Sequence, residues 1–237
     1  MVQLNQNHPH ITLRVKFKKV GSLQYISHLD LVRTMHKIIS RAGLPLWYTE
    51  GFNPKPKLIF AAPLSIGTES VTEFVDIKMI DDMPPEECIR RLNANLTDEM
   101  QVLDAYYTEV KPTELAWLSY HIEMNTVGAS EELSERCNSL LSGDEIIVEK
   151  KSKPGVEPKL FNIKPLIHSA SASFDAADGK IKIDCILSAD ASSFLNPEYV
   201  VKALRKYVGV LTCPDITKES WSIMRLEAFK SDMTPFA

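Results

Sequence analysis

The first half of the chain alternates strand-like and helical patterns of apolar side chains. Residues 12–20 alternate apolar and basic positions, which is the period of a half-buried strand. Residues 27–42 instead carry apolar side chains at helical spacing, and a glycine follows that pattern at once. The pattern then predicts strands at 46–49, 58–62 and 71–80, a helix that opens at Pro84 and Pro85, and a strand at 102–110.

The second half repeats this order of elements. It predicts strands at 115–125, 145–150, 167–174, 180–187 and 221–229, and helices at 130–141 and 197–208. Asp178-Gly179 is a hairpin signal. We therefore predict an α+β fold of tandem ferredoxin-like (βαββαβ) halves with antiparallel sheets. The predicted domains are 12–112 and 113–237, after a flexible N-terminus at 1–11, with the boundary near residues 111–113.

Composition restricts the class of protein. The chain has 237 residues, of which 44% are hydrophobic and 24% charged, as in ordinary globular proteins. No apolar run is long enough for a membrane span, and the N-terminus lacks the apolar core of a signal peptide. The four cysteines, at 88, 137, 185 and 213, lack metal-ligand spacing. We therefore expect a reduced cytoplasmic protein with no cofactor, no metal and no membrane contact.

Charge is distributed unevenly along the chain. The net charge of −4 argues against a protein that coats nucleic acid indiscriminately. Residues 12–60, however, carry nine basic and two acidic side chains, a net charge of +7. Residues 69–114 carry a net charge of −8. The basic segment is therefore where we look for a binding site.

A short polar segment at the start of the first predicted helix is the first candidate. Ser27 is a good N-cap, Asp30 is placed to bond back to it, and Arg33 is placed to pair with Asp30. That structural interpretation leaves His28 unexplained. At the first helical turn we expect His28 to point outward beside free backbone N–H groups, a natural anion site.

A basic stripe continues along the same helix, because Arg33, Lys37 and Arg41 recur every four residues. A solvated helix face is the alternative interpretation. Few acidic residues offset the stripe, and lysines 16 and 18 are placed to extend it. Aromatic side chains for base stacking lie nearby in sequence, so we expect contact with structured or single-stranded RNA. They are Tyr25, Trp47, Tyr48 and Phe52.

The loop around residues 51–57 is the second candidate, because its two prolines favour a rigid turn. Asn53, Lys55 and Lys57 are placed to donate to a phosphate or a carboxylate. A turn with two solvated lysines is the alternative. The basic stretch 150–164 is predicted to be a solvated linker, with an interaction loop as the other possibility, and the helix at 197–208 an ordinary surface.

Catalytic motifs are absent from the sequence: there is no phosphate-binding loop, no nucleophile elbow, no zinc motif and no C-x-x-C. General acid–base catalysis by His28, for example in RNA cleavage, is the one enzymatic alternative.

Five sequence motifs follow one another in the first half: LRVKFKKVGSL (13–23), YISHLDLVR (25–33), RAGLP (41–45), EGFNP (50–54) and PLSIGTES (63–70). In this order they resemble the radical SAM-linked protein family, a bacterial family encoded beside or fused to a B12-binding radical SAM protein. The segment FNIKP at 161–165 extends the similarity into the second half. One departure is Lys55, where the family usually has histidine between two prolines, so a metal or acid–base role there is not expected.

The resemblance implies a small accessory protein that acts with a radical SAM partner in RNA modification or maturation. It transfers no catalytic residue to this chain. The order of elements is also similar to that of the endoribonucleases that process CRISPR repeats, although fold alone does not determine function. Three hypotheses follow: an RNA- or substrate-binding accessory protein, an endoribonuclease or RNA-modifying enzyme that uses His28, and an adaptor that docks an acidic protein without RNA.

Overall fold

The computed structural model describes residues 10–150 and 157–236, which form a mixed α+β protein with antiparallel sheets. The described chain divides into two compact units, one ending at Leu115 and the other running from Ala116 to Phe236. The predicted boundary at 111–113 lies just before this division, at the short 3-10 segment Pro112–Glu114. The predicted flexible N-terminus lies almost entirely outside the described residues, as do positions 151–156 of the predicted linker.

The first unit contains one antiparallel sheet and two helices. Its strands lie in the order β4-β1-β3-β2, and every neighbouring pair is antiparallel. Val15 lies opposite Val75 on one side and Ala105 on the other, which sets the register at the centre of the sheet. The elements are β1 (Ile11–Lys19), α1 (His28–Arg41), β2 (Leu58–Phe60), β3 (Thr68–Met79), α2 (Pro85–Asn93) and β4 (Met100–Tyr107).

The core of the first unit lies between one face of this sheet and its helices. Leu13, Val15 and Phe17 are buried because β1 points every second side chain toward the helices. The apolar stripe of α1 packs against them. This stripe consists of Leu31, Met35, Ile38 and Ile39. The opposite face of α1 is therefore the face that can carry charge.

The second unit has a sheet of four antiparallel strands and an additional hairpin. Its large sheet has the order β10-β5-β9-β8. Strands β6 and β7 form a separate two-stranded sheet. The elements are β5 (Trp117–Asn125), α3 (Glu131–Ser142), β6 (Ile147–Lys150), β7 (Lys159–Asn162), β8 (Ile167–Asp175), β9 (Lys180–Ser188), α4 (Glu198–Tyr207) and β10 (Ser220–Phe229).

Two sequence predictions about strands are wrong. Residues 46–49 form only isolated bridges, Leu46 with Met79 and Tyr48 with Pro56. Pro56 has no N–H with which the second bridge could extend into a ladder. The stretch at 150–164, predicted to be a linker, contains β7. Strand β7 pairs with β6, so β6 belongs to a hairpin inserted between α3 and β8 rather than to the main sheet.

None of the helices in the described ranges is long and apolar enough to cross a membrane.

Candidate functional site

The start of α1 is capped as the sequence predicts. Ser27 Oγ accepts a hydrogen bond from the backbone N–H of Asp30 at 3.2 Å and donates one to Asp30 Oδ2 at 2.7 Å. Arg33 Nη1 donates to Asp30 Oδ1 at 3.1 Å. The hydroxyl of Ser27, and then the guanidinium of Arg33, lower the pKa of Asp30. These bonds fix the first turn of α1, and they do not involve Lys37 or Arg41 further along the helix.

His28 is half-buried, whereas the sequence predicts that it points outward into solvent. Its ring meets the ring of Phe60 edge-on, with centroids 5.2 Å apart and an interplanar angle of 86°. Its Nδ1 is buried, with no hydrogen-bond partner among the described residues. The apolar surface of Phe60 therefore draws the imidazole inward. That arrangement gives the ring no partner to orient it for proton transfer.

The basic stripe of α1 lies on the solvent side of the helix. Arg33, Lys37 and Arg41 are all exposed and stand one helical turn apart, opposite the buried apolar face. Asp30 is the one acidic residue of this helix, and it pairs with Arg33. Lys37 and Arg41 therefore have no carboxylate of α1 to offset their charge.

Part of the positive charge of residues 12–60 is not available at the surface. Arg14 is completely buried and pairs with Asp76, and Lys19, 1% exposed, donates to the carbonyl oxygen of Leu23 at 2.9 Å. Lys16 alternates with the core residues of β1, so it lies on the sheet face away from α1, where its Nζ stands 6.0 Å from the ring of Phe74. The prediction that Lys16 extends the stripe is therefore wrong.

The loop at 51–57 is closed by hydrogen bonds at its base. The backbone N–H of Thr49 donates to the carbonyl oxygen of Lys55 at 2.9 Å, and the N–H of Lys55 donates to Thr49 Oγ1 at 3.1 Å. Phe52 at the tip is fully exposed, and Asn53 is exposed beside it. An aromatic ring held open to solvent on a closed loop is a suitable surface for stacking.

Only one of the two loop lysines approaches α1. The pKa of His36 on α1 is lowered first by burial and then by the positive charge of Lys55. Lys57 instead lies with its Nζ 5.7 Å from the ring of Trp47. Burial, followed by the charges of lysines 78 and 57, lowers the pKa of His10 beside that ring. Lys55 thus lies close enough to α1 for its charge to act on His36, whereas Lys57 lies in a different cluster.

A third segment, at 63–70, contacts the residues that precede α1. The sequence marks this segment as a family motif but predicts no site residue in it. The backbone N–H of Gly67 donates to the carbonyl oxygen of Gln24 at 2.9 Å, and the N–H of Gly21 donates to Glu69 Oε1 at 2.6 Å. These bonds hold the exposed Ile66 beside the residues that lead into α1. The sequence shows the motif at 63–70, but its contact with residues 21–25 appears only in the tertiary structure. Tyr25 and Leu29, at the tip of α1, are also exposed.

Other chemistry is not apparent in the described part of the chain. Within residues 10–150 and 157–236, no group of three or more His, Cys, Asp and Glu side chains could hold a metal ion. A cavity of about 540 Å³ at the start of β1 contains none of the predicted site residues. Its lining includes His10, Thr12, Asp82, Tyr107 and Glu109.

The chain belongs to a family described as uncharacterized proteins conserved in bacteria (DUF2344), whose model matches residues 12–197. The match includes the basic stripe and the loop of the first unit, and it ends at the start of α4. No curated protein matches the chain.

Solved structures show remote similarity. A chain of a Cbf5-Nop10-Gar1 complex is 13% identical, with a TM-score of 0.49, over 93% of this chain and 50% of that chain, so this chain spans about half its length. A protein of unknown function from Galdieria sulphuraria is 9% identical over 92% and 99% of the two chains, with a TM-score of 0.27. DypB from Rhodococcus jostii RHA1, a variant in complex with heme, is 11% identical over 86% of each chain, with a TM-score of 0.23. These similarities are too remote to indicate a function.

Proposed function

We propose that this chain is an accessory RNA- or substrate-binding protein that acts with a radical SAM enzyme in RNA modification or maturation. Its ligand surface is the basic stripe of α1 together with the loop that carries Phe52, Asn53 and Lys55.

The observation that carries this proposal is the exposure of Lys37 and Arg41 on a helix whose one carboxylate is already paired with Arg33. Uncompensated basic side chains at one-turn spacing suit the repeated phosphates of a nucleic acid. The nearby position of Lys55 adds a further positive charge to the same surface. Exposed Phe52 on the same loop adds a ring on which an unpaired base can stack.

We also propose that both units are ferredoxin-like. In each unit the first, third and fourth sheet strands and the two helices follow the order of that fold, and the strand order is four-one-three-two. The inserted hairpin of β6 and β7 is then an addition to the second unit. Folds of this kind carry many functions, so the RNA hypothesis rests on the α1 surface and not on the fold.

The radical SAM partner is the part of the proposal that rests on resemblance, through the motifs at 13–33 and 41–70. Purification of the tagged chain from its native host tests it. The expected result is that a B12-binding radical SAM protein co-purifies in a fixed ratio, and that the ratio is maintained after nuclease treatment. Recovery of RNA without that protein would contradict the partnership while leaving RNA binding intact.

The enzymatic hypothesis receives less support from the structure. His28 is packed against Phe60 and has no oriented carboxylate among its described contacts. RNA incubated with the purified chain is therefore expected to stay uncleaved. Cleavage that disappears in His28→Ala would favour the endoribonuclease instead.

A salt titration of RNA binding tests the ligand surface. Because each phosphate contact to a single strand contributes about 0.7 to the slope of log K against log salt, Lys37→Ala/Arg41→Ala should reduce the slope by about 1.4. The matched control is Arg90→Ala/Lys111→Ala, which removes two exposed positive charges from the same unit. If both variants reduced the slope equally, RNA binding would reflect only general charge attraction and not contact at the stripe. That result would favour the adaptor for acidic proteins.

A further inference from the structure

The inserted hairpin of the second unit packs against α4. The hydroxyl of Tyr207, at the end of α4, donates to the carbonyl oxygen of Ile147 in β6 at 2.7 Å. The ring of Phe161 in β7 meets the ring of Tyr199 in α4 edge-on, with centroids 5.1 Å apart. The hairpin and the helix therefore form one surface, although they are 36 or more residues apart in sequence.

Strand alternation decides which hairpin side chains belong to that surface. Val148 lies opposite Phe161, and Lys150 lies opposite Lys159. Side chains two residues apart share a face, so both lysines project on the same face as Phe161, which is the face that meets α4. Glu149 projects on the other face of the hairpin.

The side of α4 that meets the hairpin carries two tyrosine rings, each with a lysine ammonium group close to it. Tyr199, Lys202 and Lys206 share one side of the helix, being three and four residues apart. Lys202 Nζ stands 4.6 Å from the ring centroid of Tyr199, and Lys206 Nζ stands 5.0 Å from that of Tyr207. Tyr207 is 46% exposed, whereas Tyr199 is half-buried. Glu198, in the first turn, is the one acidic residue of this helix.

We propose that this hairpin–helix surface is a second binding site, in the second unit, for single-stranded RNA. Lysines 159, 202 and 206 contact phosphates, and the exposed ring of Tyr207 receives an unpaired base. The proposal rests on the proposed function for the nature of the ligand, and it goes further by assigning RNA contact to residues outside the basic segment.

The aromatic rings distinguish RNA from an acidic protein segment as the occupant. A purely electrostatic docking surface for carboxylates needs the lysines and has no use for a solvent-exposed ring such as that of Tyr207 at their side. Lys202 and Lys206 lie at cation–π distance from the two tyrosine rings, so basic and aromatic groups occupy the same part of the surface. An RNA strand provides both groups at once, phosphates for the lysines and a base for the exposed ring.

The test uses the full chain and a fluorescent 12-nucleotide polyuridine, titrated with salt. Lys159→Ala/Lys206→Ala should reduce the slope of log K against log salt by about 1.4, the loss of two phosphate contacts. The matched control is Lys180→Ala/Lys182→Ala, which removes the same charge from the sheet face opposite buried Ile181 and Ile183. That control should leave the slope unchanged.

The stripe variant Lys37→Ala/Arg41→Ala separates this inference from the proposed function. A reduced slope in both the stripe and the hairpin–helix variants supports both. A reduced slope in the stripe variant alone overturns the second site and leaves the proposed function intact. A reduced slope in the hairpin–helix variant alone supports the second site and overturns the surface assigned to α1. No binding by the unmodified chain overturns both, and equal competition by polyglutamate overturns RNA in favour of an acidic protein.

Discussion

Arg14 and Asp76 form a two-point ion pair inside the first unit. Arg14 Nε donates to Asp76 Oδ1 at 2.8 Å, and its Nη2 donates to Asp76 Oδ2 at 3.0 Å. The two residues lie directly opposite each other on β1 and β3. The same guanidinium also donates to the carbonyl oxygen of Val110 at 2.7 Å. One positive charge of the basic segment is therefore part of the interior.

Asp76→Ala should destabilise the protein by about 3–5 kcal/mol, because it leaves the guanidinium of Arg14 buried without its counter-charge. Urea unfolding measures the effect. The control is Arg33→Ala, which breaks the exposed pair with Asp30 and should cost at most about 1 kcal/mol. Similar losses of unfolding free energy in the two variants would show that burial does not increase the contribution of the Arg14–Asp76 pair to stability.

Gly21→Ala should destabilise more than Gly179→Ala. Both glycines have φ close to +64°, at 63° and 64°, so an added methyl costs about 1–2 kcal/mol of backbone strain in each. At Gly21 the methyl also overlaps the carboxylate of Glu99, whereas at Gly179 it meets nothing within 4 Å. Thermal unfolding of the two variants compares the costs.

The Gly21 prediction has an internal check, because Glu99 accepts hydrogen bonds from the backbone N–H and the hydroxyl of Ser22. The double variant Gly21→Ala/Glu99→Ala should lose less stability than the sum of the single variants. Strict additivity would contradict the steric explanation.

Lys55→Gln should raise the pKa of His36, because the charge of Lys55 is the second cause, after burial, that lowers it. The rise should be partial, since burial remains. Lys57→Gln should instead raise the pKa of His10 and leave His36 unchanged. Proton NMR titration of the histidine rings measures both. A shift of the His36 pKa in Lys57→Gln would contradict the separation of the two lysines.

Cys213 should be the one thiol that reacts rapidly with a disulfide reagent at pH 8, because the other three cysteines are buried. Burial raises the pKa of Cys185 to about 12 and that of Cys137 to about 11, so their reactive thiolates are scarce at this pH. Cys213→Ser should abolish the fast phase. A fast phase of more than one thiol would show that a buried cysteine becomes exposed in solution.

The helices were predictable from the sequence because their signals are local. Ser27 caps α1 with a hydrogen bond to Asp30 three residues away, and the stripe of Arg33 and Arg41 follows from helical spacing alone. The position of His28 was not predictable, because Phe60 lies 32 residues further along the chain. Local rules orient a side chain relative to its helix, whereas the tertiary partner decides whether it is drawn inward.

The hairpin of the second unit shows the same limit. Residues 150–164 have the composition of a linker, and pairing of Val148 with Phe161 is a non-local contact that composition does not report. The contact of Tyr207 with Ile147 spans 60 residues. Two stretches that the sequence describes as a solvated linker and an ordinary helix surface thus become one basic and aromatic surface.

The sequence by itself determined the alternation of strands and helices, the cap of α1 and the spacing of its basic stripe, because each depends on neighbours within a few residues. The tertiary structure decided which charges remain at the surface. Arg14 and Lys19 count equally with Lys37 in a sum over the sequence, yet the first two are buried and bonded while Lys37 is exposed. The physical reason is that the buried guanidinium of Arg14 needs a carboxylate partner, and Asp76, 62 residues away, supplies it only in the folded structure.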